Sequence, residues 1–376
     1  RITDCPSEST VLTRTTAVGQ HGTHCPGHHT AVSLDSLLED TLQASVRLDF
    51  NFSFHNSPAS THATTIQPNQ SNNMPAAVDS SATLLVTGAS GQLGQLVLTH
   101  LLDTLQVPPQ RIVAASRSVD KLQKFADRGV STRSLDFNDA TSVEAAAQGV
   151  DRALLISGND IFNRLSGHKT AVTALVKAGV QHILYTSLPA TDKAVAFVAA
   201  DHLATENFIK NDSKVPRGYT FLRNGLYFEN DIGSIAGAKH TGKWYSAAQN
   251  GKLAGVSRND IALANAAALA SDNYGNNVYE LTGATGLTID EIAANVSKAL
   301  GKPIDVVQVS EDGLAQGIAA AAGFPIELAK AFATFDTNTA QGFGDVLGDD
   351  FVQLTGKQPQ SHADWAQAHA SVFAAL

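Results

Sequence analysis

Cysteine is nearly missing from this chain of 376 residues: there are two, Cys5 and Cys25, both close to its start. The remainder can form neither a disulfide nor a thiolate site. Positive charge is also scarce, with 26 Lys and Arg against 35 Asp and Glu, a net charge of −9 and no long basic cluster. That balance argues against direct binding to a nucleic-acid backbone, whose affinity rests on basic patches. No uninterrupted apolar run approaches the ~18 residues that span a bilayer, and the first residues hold no signal-peptide core. The expectation is a soluble, cytoplasmic protein with no membrane partner.

What is present divides into two unlike parts. Residues 1 to about 80 are rich in Ser, Thr, Asn, Gln, His and Pro and lack sustained apolar periodicity, which predicts a disordered N-terminal extension. The chain starts at Arg1, and its single methionine is Met74. Met74 is therefore the expected start, with residues 1 to 73 read as translated upstream sequence; a genuine tail or transit segment is the competing reading. His21, His24, Cys25, His28 and His29 suggest a metal cluster by composition. They lack the paired spacing of a structural zinc site, and no metal is expected.

The second part, 81–376, is organised around Ala82 to Gly94. Leu84, Leu85 and Val86 form an apolar strand, three glycines follow in the spacing G-x-x-G-x-x-G, and Leu93, Leu96, Val97, Leu101 and Leu102 then recur at helical intervals. Gly88 turns the chain off the strand, Gly91 lets backbone N–H groups approach an anion, and Gly94 lets the helix pack closely. A strand, a glycine loop and a helix N-terminus in this order predict a dinucleotide pyrophosphate site of Gly88, Ser90, Gly91, Gln92, Leu93 and Gly94.

Strands and helices then alternate. Strands are predicted at 111–115, 130–135, 153–156, 182–186, 219–222 and 278–281, and helices at 118–127, 138–148 (capped by Asn138) and 162–178. The pattern predicts an α/β fold: a doubly wound parallel-sheet Rossmann domain. A smaller C-terminal α/β lobe for the substrate is expected, formed mainly by about 225–260 and 284–376. Within it Thr288 to Glu291 reads as a capping box, and Gly301 to Pro303 as its helix stop.

The end of the second strand selects the coenzyme. A carboxylate there would accept from the ribose 2′-OH, but none occurs between Asp103 and Asp120. Ser116, Arg117 and Ser118 stand there instead, a guanidinium between hydroxyls that suits a 2′-phosphate, so NADPH is expected over NADH, with Arg117 as the reader. Asp136 and Phe137 are expected beside the adenine. Ser157 and Gly158 are placed at the ribose and nicotinamide.

Thr87 to Gly94, Leu154 to Ser157, His168 with 171–179, Ile183 to Ser187, His202 to Glu206, Leu222 to Asn230 and Leu354 to Pro359 together resemble the NmrA-like branch of atypical short-chain dehydrogenases. Within it they are most similar to the flavin-free NAD(P)H:quinone oxidoreductases. The resemblance covers nearly all of 82–376. It implies an NADPH-dependent oxidoreductase that passes hydride to a quinone or similar small electrophile, without flavin or metal. Carbonyl-reducing short-chain dehydrogenases use a Tyr and a Lys four residues on. Aligning Glu206 with the acidic residue after that Lys puts Val198 at the Tyr position and His202 at the Lys position. His202 becomes the leading catalytic candidate, as a polarising donor, with Tyr185 and Ser187 as weaker ones. Asn224 is assigned to the coenzyme, and Tyr227 and Phe228 to the wall around the substrate. The missing Tyr/Lys pair also admits a non-catalytic NADP sensor acting on a protein partner, and a homodimer is left open.

Overall fold

The computed structural model describes Asp79 and residues 81–160 and 163–376. The predicted disorder of residues 1 to 80 therefore falls, apart from Asp79, outside the described residues.

Seven parallel strands make the central sheet: β1 (Leu84–Val86), β2 (Ile112–Ser116), β3 (Ser131–Ser134), β4 (Arg152–Leu155), β5 (His182–Ser187), β6 (Tyr219–Asn224) and β9 (Asn277–Leu281), in the order β3-β2-β1-β4-β5-β6-β9. Alternation along each strand explains the two layers around it. Leu84 and Val86 face one core with Ile112, Leu154 and Leu222. Leu85 faces the opposite core with Val113, Leu155 and Ile183. Both faces are apolar because helices cover both. Helices α1 (Gln92–Thr99) and α7 (Arg258–Ala270) pack on the first face, while α3 (Ala140–Ala146), α4 (Arg164–Lys177) and α5 (Ala199–Asn211) cover the second. A short helix α2 (Gln123–Ala126) lies between β2 and β3.

Local chemistry sets most boundaries, with a few departures from the sequence reading. The first helix ends in a π turn over His100–Thr104. Asn138 does not cap α3: the Asp139 carboxylate does, accepting from Thr141 and Ser142 N–H. The Asn138 N–H is taken by the Asp136 carboxylate at 2.9 Å.

The smaller lobe follows β6. It contains α6 (Ile232–Thr241), β7 (Lys243–Ser246) paired in parallel with β11 (Asp305–Gln308), β8 (Lys252–Leu253) antiparallel to β10 (Leu287–Thr288), and α8 (Ile289–Leu300). Thr288 and Glu291 form the capping box of α8, and Gly301 ends it in the left-handed region. A helical hairpin of α9 (Glu311–Ala322) and α10 (Ile326–Ala340) follows, then α11 (Asp350–Thr355), α12 (His362–Ala368) and α13 (Ala370–Ala375). Trp244, Ile292, Val296, Trp365 and Phe373 are its core. Phe351 and Leu354, by contrast, pack into the sheet's own first core. Among the described residues, no helix is long and apolar enough to cross a membrane.

Candidate coenzyme and acceptor site

The carboxyl ends of the parallel strands converge on one edge, where open α/β sheets receive ligands. At β1, the Thr87 hydroxyl donates to the Leu154 carbonyl at 3.0 Å and accepts from Ile156 N–H at 3.1 Å, tying the loop to β4. Gly88 takes φ +58°, and a Cβ on Gly94 would stand 2.5 Å from the Gly88 oxygen and 2.7 Å from the Ala89 Cα. Only glycine fits between loop and helix there. Gly91 is the N-cap of α1 and offers no side chain, so no side chain caps the first-turn N–H groups. An anionic diphosphate suits such a helix start.

Ser90 Oγ lies 2.6 Å from Ser116 Oγ, and the Ser118 N–H donates to Ser116 Oγ at 3.2 Å. Beside this hydroxyl pair Arg117 is exposed, with no hydrogen bond or ion pair among the described residues. Phe137 is half-buried, its ring 6.0 Å from that of His168 and close to where a Gly158 side chain would project. The Ser157 N–H is held by Thr186 Oγ1 at 2.8 Å. Asn224 ends β6 with 6% exposure, yet neither its amide nitrogen nor its oxygen has a partner. A buried amide of this kind costs stability unless a ligand completes it.

Beneath this edge lies a chain of buried polar groups. The Gly158 N–H donates to His168 Nε2 at 3.0 Å, so the His168 proton is assigned to Nδ1, which faces Thr205 Oγ1 at 3.1 Å. The Thr205 hydroxyl passes its own hydrogen to the Asp201 carbonyl at 2.8 Å. Tyr185 OH is 2.8 Å from His202 Nδ1 and 3.5 Å from His168 Nδ1. With His168 Nδ1 protonated, His202 Nδ1 is the acceptor left for the phenol. His202 is thereby fixed as the Nε2–H tautomer. Burial, with the nearby Arg164 charge, pushes both His168 and His202 down to about 3, so both rings are neutral. Burial pushes the Tyr185 phenol well above its usual range.

These facts sort the candidates. Tyr185 is fully buried and reaches no open surface; it orients His202. The Ser187 hydroxyl donates to the Glu206 carboxylate at 2.6 Å. Phe228, expected at the substrate, sits instead in the small lobe's core, its ring 5.4 Å from Trp365 and 4.9 Å from His362. Tyr227 stays half-buried under the Arg258 guanidinium, 5.1 Å from its ring centroid. The Asp136 carboxylate is engaged with Asn138 N–H through one oxygen and keeps the other.

Two groups of residues escaped the sequence reading. Arg223 bonds Glu206 through both guanidinium and carboxylate forks, at 3.0 and 2.8 Å, and reaches Glu280 at 2.9 Å. The Glu206 bond holds the guanidinium charged. This network locks α5 to β6 and β9. Second, Asp231 is pushed up to about 7 by burial and by the charges of Asp336 and Glu229. Arg223 lies within the segment Leu222 to Asn230, but its partners Glu206 and Glu280 come from distant elements, which no local signal links to it.

A model of the NmrA-like family matches residues 80–365. The chain is 35% identical to quinone oxidoreductase 2 of Escherichia coli over 259 residues, 69% of this chain and 88% of that one. It is 25% identical to an NAD(P)H azoreductase of Xenophilus azovorans over 293 residues, covering 78% of this chain and 99% of that one. Among solved structures, the E. coli NADPH-dependent quinone oxidoreductase complexed with NADPH superposes with a TM-score of 0.72 at 33% identity, over 76% of this chain and 99% of that chain. The Citrobacter triphenylmethane reductase complexed with NADP(H) superposes with a TM-score of 0.70 at 33% identity, over 76% and 99%.

Proposed function

The chain belongs to the NmrA-like family, and from that premise we propose that it is an NADPH-dependent oxidoreductase whose acceptor is a quinone or a similar small electrophile. The observation that carries this reading is the glycine cradle after β1, where only glycine fits at position 94, together with the unpartnered Asn224 amide at the end of β6. When bound, NADPH supplies a hydride which, with one proton from solvent, reduces the quinone to a hydroquinone and leaves NADP+.

The residues present fit that coenzyme. Gly88, Ser90, Gly91, Gln92, Leu93 and Gly94 would hold the diphosphate, since a Cβ at Gly94 would collide with backbone. Arg117, with Ser116 and Ser118, would take the 2′-phosphate. Ser157, Gly158 and Asn224 would hold the nicotinamide side. His202 Nε2–H would donate to an acceptor oxygen and polarise it. It would not surrender a proton, because a ring held neutral to about 3 carries no acidic hydrogen near neutral pH. A quinone, already electrophilic, asks for no more than this. Val198, at the position of a dehydrogenase's tyrosine, has no hydroxyl to give.

The test is direct: mix the purified chain with NADPH and a panel of quinones, and follow nicotinamide absorbance. Catalytic loss of absorbance is expected. A flat trace with tight NADPH binding would reassign the protein as a coenzyme sensor.

A further inference from the structure

The geometry points to an acceptor-selecting aromatic wall, built by Phe197, Phe332 and Phe335 and held in place by Thr334 and Asn338, that favours a neutral, planar two-ring acceptor over a single-ring one. The inference rests on the oxidoreductase reading above and deepens it.

The wall starts where β5 ends. Leu188 follows Ser187 at the sheet's carboxyl edge and is buried with Ala196, Val198 and Ala199, against which Phe197 and Phe335 pack. The Phe197 ring meets Phe335 at 5.6 Å and Phe332 at 5.9 Å, both edge-on. All three rings are only partly buried, and Phe332 is stacked on Phe324 at 5.7 Å; in the proposed arrangement the open surface of Phe197 and Phe335 faces the acceptor. Edge-to-face rings suit a further flat π system. Leu188, Ala196, Phe197, Val198, Phe332 and Phe335 carry no charge, so the wall offers no partner to an ionised acceptor.

Two side chains of α10 fix this arrangement from far along the sequence. Asn338 Oδ1 accepts from the N–H of Val195 at 2.9 Å and of Ala196 at 3.4 Å, and Thr334 Oγ1 accepts from the N–H of Phe197 at 2.9 Å. Three consecutive donors just ahead of α5 are thus satisfied by the helix that carries Phe332 and Phe335. Asn338 is 4% exposed. Loop and helix therefore present their rings as one unit, and Thr334 and Asn338 act as positioning residues.

The test compares naphthoquinone with duroquinone, a single-ring quinone, by kcat/KM and by calorimetric Kd for the NADP+-loaded protein. The wild-type chain is expected to prefer naphthoquinone in both. Phe335→Ala should cut the naphthoquinone-to-duroquinone ratio about 3–10-fold, the scale of one lost aromatic pair. Phe335→Leu, which keeps apolar volume, and Thr334→Val, which keeps every ring but loses the Phe197 N–H bond, should lower the same ratio. NADPH affinity and melting temperature serve as folding controls. An unchanged ratio in Phe335→Leu and Thr334→Val, or equal wild-type handling of both quinones, overturns the wall. If neither quinone is reduced, the oxidoreductase reading fails by itself; the Kd ratio still decides the wall, which stands if Phe335→Leu lowers it and falls if it does not.

Discussion

A neutral imidazole at position 202 can donate a hydrogen bond but has no acidic proton to deliver near neutral pH. His202→Ala is accordingly expected to lower turnover about 3–10-fold, the scale of one neutral hydrogen bond, rather than the ~10²–10⁴-fold typical of lost acid catalysis. The wild-type kcat profile should show no inflection from this ring between pH 5 and 8; a larger loss, or an inflection removed by the substitution, would contradict the neutral-donor role. Tyr185→Phe, which deletes the phenol at 2.8 Å, should reproduce part of that loss in kcat with little change in NADPH affinity. Arg117 would act through its charge. It is exposed and unpartnered beside the Ser90 and Ser116 hydroxyls, so Arg117→Ala should weaken NADPH by about 1.5–3 kcal/mol, a lost charged hydrogen bond, while NADH is little altered. Equal weakening in coenzyme titrations would show that Arg117 does not read the 2′-phosphate.

At the scale of elements, the contact of α1 with the loop after β1 is the most demanding. Gly94→Ala would place its methyl carbon within 2.7 Å of two backbone atoms, forcing the helix away from the cradle. Both NADPH and NADH affinity should fall at least tenfold, roughly 1.4 kcal/mol or more, along with the melting temperature. Gly237→Ala provides the contrast: it lies within α6, and a methyl group there would meet nothing within 4 Å. There alanine's helix preference of about 1 kcal/mol over glycine should raise the melting temperature. Element ends differed in how readable they were. The α8 capping box is contained in four consecutive residues and was legible. The α3 cap was not, because adjacent Asn138 and Asp139 both qualify by type, and the choice follows from Asp136 taking the Asn138 N–H.

For the whole molecule, buried histidines set the response to acid. His168 and His202 are pushed down to about 3, and His182 and His362 to about 4, each mainly by burial. Their unfolded value is about 6.5, so between those limits the unfolded chain binds more protons. Stability is therefore complete above about pH 6.5 and is lost as pH falls toward 4. Asp231 opposes this: raised to about 7 in the fold, it makes the native state bind more protons between about pH 4 and 7, so its contribution falls as pH rises through that window. Burial also raises the carboxyls of Glu280, Asp336 and Asp350 and lowers His100, by smaller shifts; the four large histidine shifts dominate, and the melting temperature should drop on acidification from pH 6.5 to 4. In Asp231→Asn the opposing slope disappears, so variant minus wild-type melting temperature should grow as pH rises from 4 to 7. A constant difference would show that Asp231 is not raised.

The sequence by itself determined the parallel α/β sheet, the glycine cradle and the family, because these rest on local signals: apolar strands flanked by helical periodicity, and three glycines at fixed spacing. Short motifs also singled out Asn224 and His202 as candidates. What those side chains face was decided only by tertiary structure. Nothing local tells that Phe228 would join Trp365, that Arg223 would pair with Glu206 and Glu280, or that Asn338 would hold Val195 and Ala196. The protonation of His202 belongs to the same class. Its ring is neutral because folding removes it from water beside Arg164, and its proton lies on Nε2 because Tyr185, from another element, occupies Nδ1. Burial and partner geometry arise only when distant segments meet, and these two terms decide whether a histidine is an acid, a donor or a strut.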